Sequence, residues 1–69
     1  MKRPVIICVD DEQIILQSMR LELLEAFGDD YMVEVSESGK DALLLIEELL
    51  EENIEIPLVI ADYLLPDVQ

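Results

Sequence analysis

Apolar and polar positions change their spacing several times along the chain, and each change marks an element. Pro4-Val5-Ile6-Ile7-Cys8-Val9 is a continuous apolar run rich in β-branched residues. Such a run suits a strand buried on both faces. Asp11 is placed to cap a helix, and acids at its start suit the dipole. That helix is expected to reach about Phe27, with Ile15, Met19, Leu23 and Phe27 on its inner face and Leu16, Leu24 and Ala26 widening the stripe. Gly28 is the expected stop, and Gly28-Asp29-Asp30 a turn.

Tyr31 to Val35 alternates apolar and polar, the pattern of a second strand nearer an edge. Residues 36–39 read as a loop. Asp41 to about Glu52 reads as a second helix with Ala42, Leu43, Ile46, Leu49 and Leu50 inside. Glu47, Glu48, Glu51 and Glu52 form its solvated face rather than a cation site. Asn53 to Pro57 connects to a third strand, Leu58–Ala61, and Leu64-Leu65-Pro66 begins a loop. No repeat, linker or low-complexity segment interrupts this β-α-β-α-β order. The fold class is therefore α/β with a parallel sheet.

Composition narrows the class further. The chain has 69 residues, and 52% of them are hydrophobic, which argues against disorder. Chains near this size bury only roughly 60% of their unfolded surface, so one core is marginal and a partner subunit or metal is a common supplement. The single cysteine, Cys8, excludes an internal disulfide and reads as a small buried hydrophobe, compatible with a reducing cytoplasm. Seventeen acids against four bases give a net charge of −13. That balance disfavours nucleic acid and anionic membrane surfaces and favours cations and basic proteins. No stretch approaches the roughly 20 apolar residues of a membrane span, and Lys2-Arg3 precede too short an apolar run for a secretion signal. The expected location is the cytoplasm.

Chemistry concentrates at the strand ends. The first strand runs into Asp10-Asp11 and the third into Asp62. Ligands of open α/β sheets bind beyond the carboxyl ends of the strands. With strand order 2-1-3 the first and third strands are neighbours and the three acids converge. Bare, they repel one another, and a hard dication reverses that. Mg²⁺ takes one or two carboxylates, waters and phosphate oxygens, and one aspartate beside it could act as a nucleophile towards a phosphoryl donor.

Three segments also resemble a known family. Val9-Asp10-Asp11-Glu12, Ser38-Gly39-Lys40-Asp41-Ala42-Leu43 and Val59-Ile60-Ala61-Asp62-Tyr63-Leu64-Leu65-Pro66 look like the first half of a bacterial two-component response-regulator receiver domain. The resemblance covers nearly the whole chain, in order and spacing. It implies a truncated flavodoxin-like (CheY-like) three-layer fold over residues 1–69. It implies that Asp62 is the phospho-acceptor and that Asp10 and Asp11 help to bind Mg²⁺. It further implies that the backbone carbonyl of Leu64 is a metal ligand and that Pro66 shapes the loop. A histidine kinase is the implied partner, and no turnover of a separate substrate is implied.

The family also has a Thr or Ser ending a fourth strand and a Lys ending a fifth, which fall beyond this sequence. Lys40 does not take that lysine's place. The expectation is a truncated module completed by oligomerisation, most simply a two-fold dimer pairing third strands into six, with exchange of the C-terminal tail as a variant. The alternative is a stand-alone half-receiver acting only through association. A phosphohydrolase of the haloacid-dehalogenase type also uses an aspartate after a strand, but it wants a second Asp where Leu64 stands.

Overall fold

The computed structural model describes residues 2–62, in which two helices alternate with three strands. The elements are β1 (Val5–Val9), α1 (Gln13–Phe27), β2 (Met32–Ser36), α2 (Gly39–Glu51) and β3 (Leu58–Ala61). The strands form one sheet in the order β2-β1-β3, and both pairings are parallel. Val5 stands beside Met32 and Val9 beside Ser36 on one side of β1, while Ile6 stands beside Leu58 and Val9 beside Ala61 on the other.

Every residue of β1 is buried, as its unbroken apolar run requires. Side chains alternate across the sheet. Val5, Ile7 and Val9 pack with Ala42 and Leu49 of α2. Cys8 packs with Leu16 of α1 and with Val33. The helices therefore lie on opposite faces, giving three layers. Burial pushes the Cys8 thiol up, so it stays a neutral, inert hydrophobe.

The helix faces differ in part from those the spacing predicts. On α1, Leu16 is buried and Met19, Leu23 and Leu24 pack against the core, but Ile15 and Phe27 are exposed. A four-residue interval advances about 40° per step past a full turn, so a line of such positions winds around the helix. Only its middle, Met19 and Leu23, meets the sheet. On α2 the inward stripe is Ala42, Leu45, Ile46 and Leu49, whereas Leu43 and Leu50 are exposed. They lie at the flank of the arc that this 3-4-7 stripe already completes.

The helix ends also correct the reading. Glu12, not Asp11, occupies the N-cap of α1, with no side-chain cap bond and no acid in the first turn. Gly28 does end α1, but in the right-handed region (φ −62°), where an added Cβ would lie 2.4 Å from the carbonyl oxygen of Leu24. Ser38 is more than a loop residue. Its Oγ accepts the N–H of Asp41 at 3.1 Å and starts α2 two residues earlier than predicted.

The C-terminus of α2 is closed by Asn53 in the left-handed region (φ 61°). Ile54 N–H donates to Leu49 O at 2.9 Å, and Asn53 N–H donates to Leu50 O at 3.0 Å. This is the paired arrangement of a Schellman cap, and Ile54 packs against the cluster containing Leu49 as such caps favour. Asn tolerates this backbone and β-branched residues do not. Asn53→Gly should leave stability within about 0.5 kcal/mol or raise it, while Asn53→Val should lower it by about 1–2 kcal/mol in urea denaturation.

Candidate metal centre

The parallel registers place the acids. Val9 and Ala61 are partners, so the next residue on each strand is an aspartate. Asp62 N–H donates to the Val9 carbonyl at 3.2 Å, extending the β1–β3 ladder to the acid itself. On the other side Asp10 N–H donates to Ser36 O, also at 3.2 Å. Backbone pairing on both sides of β1 thus holds Asp10 between the ends of β2 and β3.

One carboxylate oxygen from each of Asp10, Asp11 and Asp62 lies within 4.8 Å of the others. Asp10 is buried, with 7% of its surface exposed. Asp11 is exposed and Asp62 half-buried. The cluster therefore grades from the sheet interior to solvent. Asp10 Oδ1 accepts the Glu12 N–H at 2.9 Å, an Asx-type turn that fixes its carboxylate while leaving further lone pairs. The bond holds the N-cap residue of α1 against the end of β1.

The donor set is three hard anionic oxygens, a fit for a hard divalent cation such as Mg²⁺ and a poor one for thiophilic metals. The expected backbone ligand at Leu64, and Pro66, lie outside the described residues. Lys40 is in the first turn of α2, which follows β2, and so belongs to the side of β1 away from Asp62.

Two features of this edge were not read from the sequence. Ser36 is a buried end of β2 whose hydroxyl donates to Ser38 O at 3.2 Å. Gln13 Nε2 donates to Glu37 Oε1, tying the start of α1 to the β2–α2 loop. The sequence signal for the first was a serine at the end of an alternating run. The second pairs residues 24 apart and has no local signature.

Comparison with family models, curated proteins and solved structures returns no match.

Unscreened acids this close repel by about 1 kcal/mol per pair in water and more where water is excluded. In chelator, Asp11→Asn should therefore raise the melting temperature, by the equivalent of about 1 kcal/mol. Millimolar Mg²⁺ should raise the melting temperature of the wild type and leave that of Asp11→Asn nearly unchanged, because only a cation bound to the folded state shifts the equilibrium. A thermal melt with and without Mg²⁺ reads both effects.

Proposed function

We propose that the chain is a phosphoryl-accepting receiver module of two-component signal transduction, working in the cytoplasm with a histidine kinase as donor. The observation that carries this reading is the meeting of Asp10, Asp11 and Asp62 at the carboxyl ends of adjacent parallel strands. The resemblance of the three sequence segments assigns the roles. Fold alone would not decide function.

Asp10, Asp11 and Asp62 would hold the Mg²⁺. Bound there, the ion would offset the charge that accumulates when a phosphoryl group approaches three carboxylates. A carboxylate oxygen of Asp62 attacks phosphorus. The new bond is an acyl phosphate, the bond between phosphorus and the donor breaks, and its electron pair leaves with the donor. Asp62 suits this role because its backbone is fixed by Val9 while its side chain is only half-buried. Asp10 is the less accessible acid and is held by Glu12 N–H, which suits a positioning role. No helix among the described residues is long and apolar enough to cross a membrane.

A second reading, association through the sheet edge, is supported by β3. Leu58 is 48% and Val59 43% exposed, and among the described residues β3 pairs only with β1. An apolar edge strand without charge or bulge is a template for another strand. A homodimer or higher oligomer pairing β3 with β3 would cover it. Light scattering at micromolar concentration should then give twice the chain mass or more, and Val59→Lys should return the monomer. A monomer in the wild type would end this reading.

The phosphoryl reading is tested by acetyl phosphate with Mg²⁺ and intact mass. The expected result is an adduct of about 80 Da on the wild type and none on Asp62→Asn. Wild type without the adduct would refute it.

A further inference from the structure

We infer that the outer face of α2 is a docking surface for a basic amphipathic helix of another protein. An ordinary surface helix turns apolar residues inward and polar ones outward. α2 satisfies its inward side with Ala42, Leu45, Ile46 and Leu49. It then carries three more leucines outside: Leu43, Leu44 and Leu50 are 61%, 56% and 58% exposed.

Scattered exposed leucines need no explanation, but these are ordered. Leu43, Glu47 and Leu50 follow i, i+4, i+7 and form one strip. Leu44, Glu48 and Glu51 repeat the same spacing on the strip beside it. All three glutamates are exposed. The result is a leucine–glutamate face about two turns long, with Leu43 and Leu50 as apolar anchors one heptad apart and Leu44 beside Leu43.

Charge selects the occupant. Each copy carries a net −13, and a second copy on this face would oppose glutamates to glutamates. Of the chain's four bases, Lys2 pairs with Glu52, Arg3 binds the carbonyl of Gly28 and Arg20 lies on α1, so Lys40 is the one base on α2, against the three glutamates of its outer face. A helix bearing leucine-type residues at i, i+3/i+4, i+7 and Lys or Arg at the flanks meets both demands. Its apolar stripe covers the leucines and its bases face the glutamates, in the manner of flanking charges in coiled coils.

The surface is independent of the acid cluster at the strand ends, so the test leaves that cluster untouched. The probe is a fluorescent synthetic leucine–lysine helix, with an alanine–lysine helix of equal charge as its control, followed by anisotropy. The full chain should bind the leucine–lysine helix more tightly than the control by about tenfold or more. Leu43→Gln with Leu50→Gln should abolish that preference, and because both sites are exposed, circular dichroism should show the fold intact. Glu47→Gln with Glu51→Gln should weaken binding, while Glu22→Gln with Glu25→Gln on α1 should change it by less than about twofold. Equal binding of both probes, or equal loss from the α1 pair, would show attraction by net charge alone and overturn the proposal. Self-association abolished by the Leu43 and Leu50 changes would also overturn it, by making a second copy the occupant.

Discussion

The structure depends on β1 being hydrogen-bonded on both sides by parallel neighbours. A strand in that position loses water on both faces and both edges, so only an apolar side-chain run is tolerated along its length. Val5, Ile7 and Val9 supply the core under α2, and Cys8 does so under α1. Full burial of such side chains is worth about 1.5–3 kcal/mol each, in a domain whose whole stability is of the order of 5 kcal/mol. The apolar run ends at the carboxyl edge of the sheet with Asp10, still buried, and Asp11 is the first residue beyond it in solvent. The same pairing that buries β1 also brings Asp62 beside it.

The acid cluster is thus a product of register rather than of local attraction. Three carboxylates would not assemble by themselves, since their mutual repulsion opposes it. They are held by backbone bonds from Asp62 to Val9 and from Asp10 to Ser36, and by the Glu12 N–H donating to the Asp10 carboxylate. The core supplies the free energy that keeps like charges together, and a cation would return part of it. Such like-charge gatherings at the ends of parallel strands favour a ligand of opposite sign.

Coverage of the sheet is uneven. β1 is fully buried, β2 is half-buried, and β3 is largely exposed. Both helices sit over β1 and β2. Exposed apolar surface falls at the β3 edge, on the outer side of α2, and on α1, where Ile14 and Leu21 are exposed. The β3 edge invites backbone pairing, the α2 face side-chain packing. These two differ in charge surroundings, because the α2 leucines alternate with glutamates.

Much of this was legible in the sequence. The element order and the span Leu58–Ala61 follow from apolar runs, their β-branched content and the acids that end them, and the convergence of Asp10, Asp11 and Asp62 follows once the strand order is taken as 2-1-3, the order that the family resemblance implies. These are local signals amplified by one topological rule. Less legible were the helix details. Capping at Glu12 and Asn53, the exposure of Ile15, Phe27, Leu43 and Leu50, and the Gln13–Glu37 bond all depend on how each helix is rotated against the sheet. Hydrophobic periodicity says that a helix has an inner face, but several neighbouring arcs score alike when leucines are this frequent. Sequence therefore determined which elements form and which acids could meet. Only tertiary packing decided which leucines were left outside, because a narrow sheet has room for one stripe per helix.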